Sequence, residues 1–154
     1  MDETGIADNE VPPYGWAHSG IRAFGDTRGG RRRRVSIVGS LKEGQFHSGM
    51  VLDGTFNTEA FEAFVEKILL PRCSSGDVIV MDNARIHKST RLHEIVESVG
   101  CRVLYQPKYS PDLNPIEHYW SPLKKQIRAS IEKEINEKFC LFDKASEIMK
   151  MRLP

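Results

Sequence analysis

The chain is short of the features that mark specialised classes. It holds three cysteines, Cys73, Cys101 and Cys140, odd in number, far apart and never spaced CxxC. That leaves a disulfide framework or a zinc site without support, and the three read as buried thiols in a reducing compartment. No apolar run approaches the ~20 residues of a membrane span, and no N-terminal signal pattern is present. There is no excess of one charge: 22 Lys and Arg face 21 Asp and Glu, a net of +1. Bulk charge by itself therefore gives no support for a nucleic-acid partner, and local distribution has to carry that argument. Repeats and low-complexity tracts are missing too. The expectation is a soluble, cytoplasmic protein with no membrane partner.

What is present is ordinary globular composition. The 154 residues are 40% apolar and 28% charged, enough for one domain with a sizeable core. Residues 7–34 are rich in Gly, Pro and Arg and read as loop with a short strand. RVSIVGSL (34–41) is β-branched and reads as a strand. KEGQ (42–45) is a turn, and FHSGMVLDGTF (46–56) is a second strand, expected to break at Gly49. In NTEAFEAFVEKILLP the period changes. Phe61, Phe64, Val65 and Ile68 share one helical face, with Asn57 or Thr58 as cap and Pro71 as stop.

DVIVMDN follows as a short continuous apolar run, the pattern of a strand covered on both faces. Leu92, Ile95, Val96 and Val99 mark the next helix, which Gly100 ends. CRVLYQP is another strand, parallel to the last across a βαβ unit. Asn114, Pro115 and Glu117 fit the N-cap, N1 and N3 positions of a helix whose buried stripe is Ile116, Trp120, Leu123 and Ile127. Pro122 interrupts that pattern as a potential kink. Residues 130–152 read as one more amphipathic helix on Ile131, Ile135, Phe139 and Phe142. The sum is an α/β fold: a mixed sheet, antiparallel strands first and parallel strands after, flanked by helices. Ligands gather at the carboxyl ends of parallel strands in such sheets, and Asp82 sits at one.

Taken alone, each acid has a plain alternative. Asp82 also suits a turn or a cap, Glu117 suits a capping box with Asn114, and Asp2 suits a solvated chain start. The surroundings alter that balance. VIVMDNARIHKS and YSPDLNPIEHYW together resemble the catalytic core of DDE transposases of the mariner type and their bacterial insertion-sequence relatives. MDETGI, PPYGWAHSG and GTFNTEAFEAFVEKILLP add to the likeness, which spans nearly the whole chain. Between Asp82 and Glu117 lie 34 residues. That interval with a final Glu resembles the bacterial branch more than mariner itself, which ends in Asp.

The resemblance implies a ribonuclease H-like mixed sheet of three antiparallel and two parallel strands. It also implies that Asp2, Asp82 and Glu117 meet as catalytic and metal-binding residues. Their expected cofactor is two Mg²⁺ ions, replaceable by Mn²⁺. Two hard divalent ions roughly 3.5–4 Å apart activate a water and neutralise the leaving oxygen in phosphodiester cleavage, and they prefer carboxylate oxygen to His or Cys. Asp2 or Asp82 would bridge the ions and Glu117 would complete one. The implied partners are double-stranded DNA, as terminal inverted repeats with a TA target, and a second copy in a homodimer. The implied compartment is a bacterial cytoplasm, at the nucleoid.

Other candidates carry two readings each. Arg31, Arg32, Arg33 and Arg34 form the basic run, either a solvated strand entry or a phosphate contact. Lys124 and Arg128 share a helical face with Glu117 and extend towards DNA. Trp16 either stacks on a base or packs over the sheet edge. His87 and His118 either make structural hydrogen bonds or touch phosphate. Asn83 and Asn114 order their loops, and Trp120 belongs to the core. Relatives carry an N-terminal helix-turn-helix that nothing here matches, and the chain starts one residue before Asp2. The expectation is thus a single catalytic domain over 1–154, truncated at its N-terminus, with Asp2 at a frayed end. The alternatives are an inactive remnant that binds DNA or oligomerises, and a stand-alone ribonuclease H-like nuclease.

Overall fold

A computed structural model describes residues 1–7, 16–22, 24, 34–108, 110–133 and 141–152. Strand β1 (Asp2–Ala7) pairs antiparallel with β2 (Arg34–Lys42), Asp2 opposite Gly39 and Ala7 opposite Arg34. β2 in turn pairs antiparallel with β3 (Gln45–Asp53). The hairpin turn is Glu43–Gly44, both at positive φ, 54° and 75°, the conformation a tight two-residue turn demands. The register shifts between Ser40 and Leu41, a bulge that leaves His47 as the extra residue.

Helix α1 (Thr58–Phe64) is capped by Asn57, whose side chain accepts from the Ala60 N–H at 2.8 Å. It runs on through a wide turn, Val65–Leu69, and a tight one, Leu70–Arg72, that contains Pro71. β4 (Val78–Met81) and β5 (Arg102–Tyr105) pair in parallel across α2 (Thr90–Ser98), as the βαβ spacing requires. Ser89 caps α2, and Gly100 ends it at φ 76°. α3 (Glu117–Lys133) and α4 (Leu141–Arg152) close the described chain. Among the described residues no helix is long and apolar enough to cross a membrane.

Two cores result. α3 and α4 cover one face of the antiparallel sheet, where Ile6, Val35, Ile37 and Phe46 meet Ile116, Trp120, Leu123, Ile127, Leu141 and Ile148. α1 and α2 pack with β4 on the other side, where Val38 joins Phe61, Phe64, Ile79, Met81, Leu92 and Val96. β2 therefore lies between the two cores.

Several expectations need correction here. The strands form two sheets, β1–β2–β3 and β4–β5, rather than one; they meet where the Met1 ammonium donates to the Val80 carbonyl at 2.7 Å. β4 is not covered on both faces: Ile79 and Met81 are buried, while Val78 and Val80 are 45% and 37% exposed. A four-residue apolar run does not reveal how many faces have partners, and the strand buried on both sides is β2. Val99 lies outside the buried stripe of α2, 43% exposed, because the helix has already ended at Ser98. The last helical stretch is not one helix over 130–152. α4 starts at Leu141 and buries Leu141, Ala145, Ile148 and Met149, with Phe142 only partly covered. Ile135, Phe139 and the Ile131 side chain fall outside the described residues.

Gly49 does not break β3. It faces Gly39 across the hairpin, and both lack a side chain because other groups occupy the space. A Cβ at Gly49 would sit 2.4 Å from Met149 Cε, and one at Gly39 would sit 2.5 Å from Phe46 Cζ and 3.0 Å from Trp120 Cη2. The Phe46 and Trp120 rings meet edge to face, 6.1 Å apart, over the Gly39 backbone. Gly39→Ala is expected to destabilise by about 1–3 kcal/mol, the usual cost of overfilling a packed core. An unchanged urea midpoint would show that the rings move aside freely.

Candidate active site

Asp2 opens β1 opposite Gly39, and its side chain is buried, 8% exposed. The close approach of Trp120 that Gly39 permits brings the indole Nε1–H within 3.2 Å of Asp2 Oδ2, to which it donates. The expectation of a frayed Asp2 is therefore corrected: a side chain 118 positions along the chain holds it. Burial, the largest cause, pushes its pKa up to about 6; the Trp120 and backbone hydrogen bonds pull it down, and the Glu117 and Glu3 charges add to the rise.

Asp82 follows β4 directly, with 47% of its side chain exposed. Its Oδ1 accepts from the Ala84 N–H at 3.0 Å, a local turn of the kind Asp favours. Glu117 is the first residue of α3 and is exposed. The capping-box alternative does not form: among the described residues no side-chain bond joins Asn114 to the helix or Glu117 back to Asn114. Pro115 and Ile116 make a turn instead, with the Glu117 N–H donating to the Asn114 carbonyl at 3.1 Å.

Asp2, Asp82 and Glu117 thus come from three separate elements and line one open cavity of about 380 Å³. Asn83, Gln106, Lys108 and Asn114 line it too. Gln106 and Lys108 were not legible in the sequence: Gln106 falls in the run read as a strand, and Lys108 follows Pro107 where no periodicity marks it. Asn83 carries a further signal. Its Oδ1 is buried without a hydrogen-bond partner, an uncommon state for a polar atom. Three carboxylates and an orphaned amide oxygen form an all-oxygen donor set, which fits a hard divalent cation. Among the described residues, no three His, Cys, Asp or Glu side chains stand close enough to hold an ion together, so the acids ring the cavity and would have to draw inward around one.

His87 has no exposed surface to offer a DNA phosphate. It is fully buried, stacked on Phe61 with ring centroids 4.1 Å apart. Nε2 lies 2.9 Å from Glu3 Oε2, and Nδ1 lies 2.6 Å from Asp82 Oδ1. Burial works against a charge on the ring, but the Glu3 hydrogen bond and the Glu3 and Asp82 charges outweigh it and raise the pKa above the ordinary value. Trp16 does not pack over the sheet edge; it is fully exposed. Arg34 begins β2 at the opposite end of the β1 pairing from Asp2, its guanidinium over Gly5. Arg31, Arg32 and Arg33 lie outside the described residues. Lys124 and Arg128 are half-buried on α3 and do not line the cavity. His118 is exposed.

A family model described as DDE superfamily endonuclease matches residues 1–138. The Tcb1 transposase of a Caenorhabditis briggsae transposable element is 30% identical over 96 residues, 60% of this chain and 35% of that protein. The uncharacterized 39 kDa protein of insertion element IS630 from Shigella sonnei is 27% identical over 100 residues, 64% of this chain and 29% of that protein. Among solved structures, the Mos1 strand transfer complex superposes with a TM-score of 0.63 at 17% identity, over 97% of this chain and 51% of that one. The Mos1 mariner paired-end complex with Mn gives 0.52 at 16% identity, over 97% and 52%. The chain thus spans about a third of the curated relatives it matches and half of the Mos1 chain, and at this identity the structural likeness speaks for the fold.

Proposed function

This chain belongs to the DDE superfamily endonuclease family, and on that premise we propose that it is the catalytic domain of a DNA transposase. The reaction would be metal-dependent hydrolysis of phosphodiester bonds at transposon ends, followed by strand transfer into target DNA. The fold would be ribonuclease H-like, a single catalytic domain over 1–154. One observation carries the reading: acids from β1, the end of β4 and the start of α3 open on the same cavity.

Asp2, Asp82 and Glu117 would hold two Mg²⁺ or Mn²⁺ ions, which when bound supply an activated water and charge neutralisation at the leaving oxygen. The chain's own residues do the rest. Trp120 fixes one Asp2 oxygen. Lys108 puts a cation at the cavity wall, where it would attract a DNA phosphate without reading sequence. The exposed Trp16, the basic run Arg31–Arg34 and the α3 residues Lys124 and Arg128 would extend that contact. The partner would be double-stranded DNA bearing terminal inverted repeats, with a TA target, bound by a homodimer in a bacterial cytoplasm.

Thermal melting with and without Mn²⁺ tests the site. At a hundredfold excess over Kd, binding to the folded state should add about 2.7 kcal/mol. The native chain should gain stability and Asp82→Asn should gain little. Equal gains in both would place the ion elsewhere. A second test concerns DNA. Lys108→Ala should weaken duplex binding about equally across sequences and lower the salt slope by about 1. Unchanged salt dependence in filter binding would remove Lys108 from the interface.

A further inference from the structure

We propose that His87 is a positioning residue for Asp82, and that Glu3 anchors it in that task. The inference rests on the reading of Asp82 as a metal ligand and adds two residues to the site. Asp82 is about half-exposed and follows a strand end, so its carboxylate would turn freely without restraint. It is restrained on one side. His87 Nδ1 stands 2.6 Å from Oδ1 and donates to the Asp82 backbone carbonyl at 3.4 Å, while the Ala84 N–H donates to Oδ1 at 3.0 Å. Among the described residues Oδ2 has no such partner, so the restrained side chain keeps one oxygen for a ligand.

His87 is itself held on several sides. Nε2 meets Glu3 Oε2 at 2.9 Å, Phe61 covers one face, and the His87 carbonyl accepts from the Tyr105 hydroxyl at 2.6 Å. Glu3 is the neighbour of Asp2 in β1, so a single short strand would supply both a ligand and the anchor of another ligand's support. The chemistry has a general precedent. Carboxylate and imidazole groups behind a metal ligand set its orientation, and their loss costs roughly 10–100-fold in metal affinity or activity.

The experiment measures Mn²⁺ affinity by electron paramagnetic resonance of the free ion, and melting without metal, for five proteins. They are the native chain, Asp82→Asn, His87→Asn, His87→Gln and Glu3→Ala. Asn places its amide donor near the Nδ1 position, towards Asp82; Gln places it near Nε2, towards Glu3. We expect His87→Gln to lose roughly 10–100-fold in affinity and His87→Asn to recover most of it, although both lower the melting temperature alike. Glu3→Ala, outside the core, should lose affinity several-fold. Equal losses for the two His87 variants, or affinities that simply follow melting temperature, overturn the positioning role. Should His87→Gln fail to fold, an unchanged affinity in Glu3→Ala overturns it instead. An Asp82→Asn variant that binds Mn²⁺ like the native chain removes the metal-site reading itself and this inference with it.

Discussion

Glu117→Gln and Asp82→Asn are expected to abolish Mn²⁺-dependent nicking in a complete transposase carrying this domain, with little change in folding. The loss should exceed the roughly 100-fold at the upper end for residues that merely support a metal ligand. Gln and Asn keep the shape and hydrogen-bonding capacity of the acids while removing the charge that holds a hard ion. Glu117 is exposed and, among the described residues, makes no capping bond, so its replacement disturbs neither core nor helix start. Asp82 keeps its Oδ1 acceptor for the Ala84 N–H as Asn. Nicking on a pre-cut terminal-repeat duplex, with melting curves alongside, decides the matter. Retained nicking in Glu117→Gln would remove Glu117 from the metal site. Loss of nicking with a parallel collapse in melting temperature would mean damage to the fold.

The second large effect is on stability, and it depends on pH. Asp2→Asn should stabilise the metal-free protein at neutral pH by up to about 3 kcal/mol, and the gain should fade in acid. Folded Asp2 titrates near 6, raised chiefly by burial from 3.8, a rise of about two units at 1.36 kcal/mol each. Below the lower value the folded and unfolded chains both hold the proton and the residue contributes nothing. Between the two values only the folded chain holds it, so stability falls as pH rises. Above about 6 the whole penalty is present. Asn has no charge to bury and retains an acceptor for Trp120 Nε1. For a chain of this size each kcal/mol moves Tm by about 2–4 °C, so the two melting curves should separate by about 6–12 °C between acid and neutral pH. A gap that stays constant from pH 4 to 8 would show that Asp2 is not charged at a cost. With saturating Mn²⁺ the order should reverse, since the ion would offset the charge whose burial the substitution avoids. The buried acid is therefore costly without metal and useful with it.

Local pattern and remote contact divide the origin of this site. The sequence alone specified the β2–β3 hairpin, since a β-branched run and a second apolar run flank the short turn at Glu43–Gly44. It determined the helical faces of α1 and α3, where apolar residues recur at helical spacing, and the parallel β4–α2–β5 unit, where the connection is too long for a hairpin. The motifs around Asp82 and Glu117 also singled out two acids of the cavity. The rest depends on contacts between elements remote in the chain. The burial of Asp2 depends on Trp120, the place of His87 depends on Glu3, 84 positions away, and Gly39 and Gly49 take their meaning from rings and a thioether on distant elements. The exposed face of β4 belongs to this group as well. VIVM reads the same whether one face or two find a partner, because apolar character measures what a strand could bury and not what the rest of the chain brings against it.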